Sequence, residues 1–333
     1  MSFRRIFFFS VLAFMALLPF RSPAPLYYTP ETGFYYEPYG TKADWIRTRA
    51  KDQLDVADQD FKVANYSGAL RAARRVLLVW PLSDYAPDAQ YIIARCEEAK
   101  GRDEEAFDAY EQIIIKYPNS SHYEDVLWRQ YAIANRFLGG EWTKLWGIVP
   151  FFPSMGTAAD MFGEIVTNGP YSDVAPHAQL RVGAAREKSK DYDEAVVAYE
   201  TAADRYHDQP VIASDAIFRM GVSYYLEADR AGGNEAEYDQ STGEKAIETF
   251  TDFSTLYPDD KRVPQAQKAI VKLKARQVLA AFEIAQFYED SKKWDGAAVY
   301  YNEVLQLDPN SPYAETARRR IEVLKPRLHL SDD

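Results

Sequence analysis

The sequence predicts an all-α protein, a right-handed superhelical solenoid of about six helix pairs. Three observations carry that prediction. Small residues recur at a fixed interval of twelve, each pair followed twelve residues later by a proline or its substitute. Strand signals are weak, with no series of alternating apolar runs joined by Asn-Gly or Asp-Gly turns. The 333 residues are 47% hydrophobic and 27% charged, and their 24 Tyr and 18 Phe suit the interlocking faces of stacked helices.

The first 24 residues have a secretory layout. Arg4 and Arg5 precede an apolar run over 6–20, broken only by Ser10 and Pro19, and Ser22-Pro23-Ala24 follows. Fifteen residues is short for a membrane span. Pro25 directly after Ala24 disfavours cleavage there, which leaves an uncleaved anchor as the alternative. Residues 25–48 are rich in Pro, Gly and Tyr and show no helical period, so they are expected to form an extended tether.

From 49 to 325 the chain reads as helix pairs. The small residue of helix A, the Ala of helix B and the stop fall at Ala57, Ala69, Pro81, and again at Ala94, Ala106, Pro118. They recur at Gly183, Ala195, His207, with histidine in place of proline, and at Ala285, Ala297, Pro309. Two units stretch the first interval to 24 or 25 residues and keep the second: Ala134, Ala158, Pro170 and Gly221, Ala246, Pro258. Each therefore carries an insertion of about a dozen residues between its helices, by this spacing. Small side chains let antiparallel helices approach closely, and proline cannot continue a helix.

Pro81–Gln90 and Pro170–Gln179 share the form P-x-S-D-x-A-P-x-A-Q. Ser83 and Ser172 are expected to cap the following helix A, with Pro87 and Pro176 in its first turn. Asn65 and Asp191 are expected to cap helices B. Residues 263–290 contain no glycine and keep helical spacing, predicting one helix about 40 Å long. A last helix over 313–324, with Arg318, Arg319 and Arg320, would cap the stack.

The tail Ala285, Ala297, Tyr301, Pro309 resembles the tetratricopeptide pattern of a small residue, then small–x3–aromatic, then proline. The order from Gly221 onward is more specific: helix A, a polar insertion, EKAIETFTDFSTLYP, a long helix, then WDGAAVYYNEVLQLDPNSPYAETARRRIEVL. This order resembles the outer-membrane assembly lipoprotein family BamD. The resemblance implies an exported, non-catalytic scaffold at the periplasmic face of a Gram-negative-type outer membrane. It also implies part of a BAM-type complex that inserts β-barrel proteins. Two departures stand out. Residues 21–25 lack the family's lipobox cysteine, and six repeats stand where the family typically has five.

Chemistry-bearing motifs are absent. There is no GxGxxG, P-loop, G-x-S-x-G or HExxH. His122, His177, His207 and His329 show no metal-ligand spacing, and turn or surface histidines are expected. Cys96, the single cysteine, is expected to be a buried packing thiol. No cofactor, metal or small-molecule substrate is implied, and a net charge of −11 argues against nucleic acid. Asp103, Glu104 and Glu105 suit the first turn of a helix.

The insertion over 139–156 is apolar where a turn should be polar. Its Trp142, Leu145, Trp146, Phe151 and Phe152 are the candidate partner-binding residues. They either plug the solenoid's groove or present a patch to a protein or the outer-membrane surface. Permanent exposure would promote aggregation, which favours the plug. The second insertion, over 229–243, is polar and Gly-rich and is expected to be a mobile loop. Two other functions compete: a periplasmic tetratricopeptide adaptor for envelope or cell-division machinery, and the helical part of a lytic transglycosylase. The latter needs an appended catalytic domain, and only Ser-Asp-Asp follows Leu330.

Overall fold

The structure is a computed structural model that describes residues 26–29, 33–36, 45–139, 143–145, 149–151, 155–230 and 240–328. The helices are α1 (Ala50–Lys62), α2 (Tyr66–Val79), α3 (Ala86–Ala99), α4 (Asp103–Lys116), α5 (Tyr123–Gly139), α6 (Met155–Asn168) and α7 (Ala175–Ser189). They continue with α8 (Tyr192–Arg205), α9 (Pro210–Arg230), α10 (Gln240–Leu256), α11 (Val263–Asp290), α12 (Trp294–Leu307) and α13 (Ala314–Leu324). The chain divides into two compact units, residues 1–126 and 127–333. In the first unit α1 packs on α2, α2 on α3 and α3 on α4; in the second, each helix from α6 to α13 packs on the next. The fold is the all-α tetratricopeptide solenoid.

The twelve-residue interval has a backbone cause. Seven residues after the small residue of helix A, in each of the four short units, the chain enters the left-handed region: Ala64 (φ 60°), Gly101 (φ 69°), Lys190 (φ 67°) and Lys292 (φ 57°). The next residue donates its N–H to a carbonyl five back, Asn65 to Asp60, Arg102 to Glu97, Asp191 to Arg186 and Lys293 to Tyr288. This is a Schellman closure, which satisfies helix A's last carbonyls and reverses the chain. That same residue opens helix B, and its carbonyl accepts from Ala69, Ala106, Ala195 or Ala297, four further on. Eight residues for closure and four for the first α-turn make twelve. Glycine, the residue best suited to positive φ, occupies only one of the four positions.

The second interval ends in a junction repeated at all six units. The residue before each stop donates to the helix-B carbonyl four back: Trp80 to Val76, Tyr117 to Ile113, Gly169 to Ile165, Tyr206 to Ala202, Tyr257 to Phe253 and Asp308 to Val304. Its own carbonyl accepts from Ser83, Ser120, Ser172, Gln209, Asp260 or Ser311, three residues on. The stop is therefore the second residue of a turn, where proline's fixed φ fits and its missing N–H costs nothing. Here the capping expectation fails. Helices α3 and α7 begin with backbone turns and no side-chain cap, because the carbonyls of Ser83 and Ser172 already receive the N–H of Ala86 and Ala175. The Ser172 hydroxyl donates back to the Gly169 carbonyl at 2.6 Å, and the Ser83 hydroxyl has no partner among the described residues. Asn65 caps α2 by accepting the Gly68 N–H at 3.2 Å, whereas the Asp191 side chain makes no cap bond.

Packing follows the small residues. Ala57, Ala69, Ala94, Ala106, Ala134, Ala158, Gly183, Ala195, Gly221, Ala246, Ala285 and Ala297 are all buried. Four residues after the helix-B Ala stands an aromatic ring in five units: Tyr110, Phe162, Tyr199, Phe250 and Tyr301. Wherever that ring is tyrosine, helix A carries a glutamate at the same offset. Tyr110 donates to Glu98 at 2.7 Å, Tyr199 to Glu187 at 3.1 Å and Tyr301 to Glu289 at 2.9 Å. Where the ring is Phe162 or Phe250, or the position is Ala73, helix A offers Leu138, Tyr225 or Phe61. A buried hydroxyl needs an acceptor and a phenyl ring does not.

Helix α11 spans 28 residues, Val263–Asp290, because it serves two layers. Its first half buries Ala266 and Leu273 against Phe250 and Phe253; its second half buries Val278, Ala281, Phe282 and Ala285 with Tyr301 and Leu324. The second insertion lengthens the helices that flank it: α9 runs on to Arg230 and α10 begins at Gln240. Residues 231–239 of the expected mobile loop, and the secretory-type segment 1–24, lie outside the described residues.

Two short ladders depart from the expectation of weak strands. Leu26–Thr29 pairs antiparallel with Gly33–Tyr36, and Thr143–Leu145 with Val149–Phe151. The two tether strands satisfy each other's backbone groups, and their aromatic content suits strand propensity. No helix among the described residues is long and apolar enough to cross a membrane.

Candidate functional site

The groups suited to recognition lie mainly on helices A. In the first unit the His122 ring stacks on Tyr91, centroids 4.1 Å apart and planes 4° apart, and its Nε2 lies 2.6 Å from Asp88 Oδ1. Tyr91 donates its hydroxyl to Asp125 at 2.5 Å, and the Arg95 guanidinium covers both Tyr91 and Phe61. His122 was expected to be a bland turn residue. It does lie in the turn just before α5, and that turn brings its ring onto α3. A groove of about 520 Å³ opens beside this cluster between two successive junctions, lined by residues that include Pro81, Leu82, Asp88, Lys116 and Tyr117.

In the second unit α5 and α7 present Trp128, Tyr131, His177 and Arg181. Trp128 stands edge-on to Tyr131 at 5.6 Å and 6.0 Å from His177, and Arg181 Nε donates to the Tyr131 hydroxyl at 3.3 Å. Trp128 keeps 41% of its surface exposed. Trp, Tyr and Arg are the residues that most often anchor protein interfaces. Planar rings, guanidinium donors and carboxylate acceptors supply the chemistry of binding.

A rigid element supports the following pair. Arg262 donates to Asp260 through Nε at 2.9 Å, to Asp215 at 2.6 Å and to the Ser214 hydroxyl at 3.2 Å, with its guanidinium over Phe218 and Phe253. The Arg262 side-chain bonds, aided by its backbone N–H and charge, hold the Asp260 carboxyl at about 2, well below the usual carboxylate range. A depressed folded value contributes stability that is full above the unfolded value and lost as pH falls. Wild-type protein is therefore expected to lose roughly 1–2 kcal/mol from this pair between about pH 4 and pH 2. Urea titrations should show Arg262→Met less stable at pH 7, with the difference closing across that window; a constant difference would refute the assignment.

Elsewhere burial dominates. It raises the Glu187 carboxyl, against which the Tyr199 hydroxyl bond works. It pushes the Cys96 thiol up to about 12, with the Glu97 charge acting in the same direction, consistent with a packing thiol in the core of the first unit. His207 Nδ1 lies 2.9 Å from the Asp204 carbonyl, and His329 lies outside the described residues.

Of the apolar insertion, Leu145 and Phe151 stand in the paired strands, in register with Val149 and Thr143 respectively. Trp142, Trp146 and Phe152 lie outside the described residues. Glutamines were missed as functional groups of the fold. Gln53, Gln90, Gln130 and Gln179 are buried, each four residues before the helix-A small residue. Gln90 and Gln179 donate to helix-B carbonyls of Ala109 and Ala198 at 2.8 and 3.0 Å. The final Q of the shared ten-residue motif was the signal.

Comparison with known proteins places these features in a family context. The outer membrane lipoprotein family YfiO, the BamD family, matches residues 153–317, and a tetratricopeptide repeat family matches residues 88–120. No curated protein matches. Among solved structures, a TPR repeats protein from Bacteroides fragilis is 14% identical, covering 85% of this chain and 100% of that one, with a TM-score of 0.38. A tetratricopeptide repeat protein from Parabacteroides merdae is 8% identical, covering 83% and 98%, with a TM-score of 0.35. The MamA protein is 14% identical, covering 63% and 92%, with a TM-score of 0.35. The two matching families are in general non-catalytic scaffolds for protein interaction. The chain is a tetratricopeptide-repeat protein that resembles BamD.

Proposed function

We propose that this protein is a non-catalytic periplasmic scaffold that takes part in assembling β-barrel proteins into the outer membrane. One observation carries the reading. Helices α9, α10, α11 and α12, with the insertion followed by the 28-residue helix, fall inside the segment matched by the outer membrane lipoprotein family. The partner is a BAM-type complex, and the outer-membrane surface is its working location. Helix-A faces and the apolar insertion supply the contacts, with Trp142, Leu145, Trp146, Phe151 and Phe152 as the docking residues of the latter.

Depletion of the protein in its host tests this. Folded β-barrel proteins in the outer membrane are expected to fall several-fold while inner-membrane proteins hold their level. Unchanged barrel content, with a defect in division or peptidoglycan instead, would favour a different envelope adaptor. Replacing Trp146 and Phe151 with Ser should weaken partner capture and leave helicity intact; loss of folding would make the insertion part of the core.

A further inference from the structure

The long helix α11 carries charge unlike the rest of the chain. Between Asp260 and Glu283 stand six basic residues and no acidic one, in a protein whose net charge is −11. Part of this charge is satisfied internally: Arg262 binds Asp260 and Asp215, and Arg276 pairs with Asp229 at 2.5 Å. Lys272 donates to the Tyr225 hydroxyl and is in no ion pair among the described residues. Lys261, Lys268 and Lys274 are exposed, and Lys268 and Lys274 have no hydrogen-bond or ion-pair partner among the described residues.

The geometry of the helix gathers these groups around one apolar residue. Val271 is 68% exposed. Its neighbours one turn away on the helix surface are Gln267, Lys268, Lys274 and Ala275, all exposed. The opposite face of the same half-helix is locked into the core through Ala266 and Leu273, so the backbone under the display is held in place. With the backbone already ordered, docking has only the side chains left to order.

We propose that this face of α11, centred on Val271 and flanked by Lys268, Lys272 and Lys274, docks an acidic segment of a partner protein. That segment would present carboxylates one helical turn apart around a single apolar side chain. The inference rests on the reading of the chain as an interaction scaffold and adds the chemistry of one contact. Opposite charge selects the occupant, since uncompensated lysines favour carboxylates and repel basic surfaces. A bilayer fits less well. A surface-binding helix needs a broad stripe of large apolar residues, whereas this face has one valine.

The test uses the full chain and a fluorescein-labelled helical peptide carrying glutamates at i, i+3, i+4 and i+7 around a central leucine. Anisotropy should show binding that weakens as salt rises through about 150 mM. Lys268→Glu with Lys274→Glu should weaken it by about 10-fold, and Val271→Ser by about 3-fold, with circular dichroism unchanged. Lys51→Glu with Lys62→Glu, both on exposed positions of α1, should bind as wild type. Zero-length carbodiimide coupling should join the peptide to Lys268 or Lys274. Equal binding by the double variant overturns the proposal. So does binding to phosphatidylglycerol vesicles without binding to the peptide, or self-association that the double variant abolishes. If the lysines govern peptide binding yet no barrel-assembly protein co-purifies, this inference stands and the proposed partner falls. If that protein co-purifies equally with the double variant, the proposed function stands and this inference falls.

Discussion

Gly183→Val is expected to destabilise the second unit by about 3 kcal/mol, at the upper end of what overpacking costs. A Cβ at 183 would lie 2.5 Å from the Tyr199 ring, and the ring has nowhere to go. Tyr199 is fully buried, and its hydroxyl is held by Glu187 at 3.1 Å. Two effects oppose each other here. Replacing a mid-helix glycine gains at most ~1 kcal/mol of helix propensity, and a β-branched residue gains less. The steric term is larger, so it decides the sign. Gly163 in α6 provides the contrast, since a Cβ there would meet nothing within 4 Å. Gly163→Ala should therefore stabilise by roughly 0.5–1 kcal/mol. Native-state hydrogen exchange is the suitable readout, because repeat stability is local. Amides of α7 and α8 should exchange faster in Gly183→Val, and wild-type protection there would show that the close approach is not needed.

Tyr301→Ala is expected to cost about 4 kcal/mol, within the range for emptying a buried aromatic site. The ring is 1% exposed and meets Phe282 at 5.8 Å, joining α11 and α12. Tyr301→Phe keeps the ring and removes only the bond to Glu289, so it should cost ~1 kcal/mol. Arg320 Nε still donates to Glu289 at 2.9 Å, which keeps that carboxylate from being orphaned. Thermal unfolding followed by circular dichroism separates the two variants. Equal losses would mean that the hydroxyl, and not the packing, carries the contribution.

Much of this fold was legible because its determinants are local. The twelve-residue interval records a Schellman closure and one α-turn, both set by backbone geometry within a few residues. The full extent of α11 could be read because nothing between Pro264 and Asp290 interrupts a helix. Other features were present in the sequence and went unread. Glutamate at 98, 187 and 289 accompanies tyrosine at 110, 199 and 301, and is missing wherever the ring is not tyrosine. The serine caps failed for a physical reason: the turn before each helix A already supplies backbone acceptors. The His122–Tyr91 stack and the pairing of 26–29 with 33–36 depend on which surfaces meet, and helical spacing carries no such information. The basic face of α11 was visible as composition, but that its backbone is held in place required knowing which half-helix is buried.

We propose that this helical body acts by holding a barrel-assembly protein. Affinity purification of the tagged full chain from detergent-solubilised envelopes tests it most directly. Near-stoichiometric recovery of a BamA-type β-barrel protein is expected. Recovery of division or peptidoglycan proteins in its place, with no barrel-assembly protein retained, would contradict it.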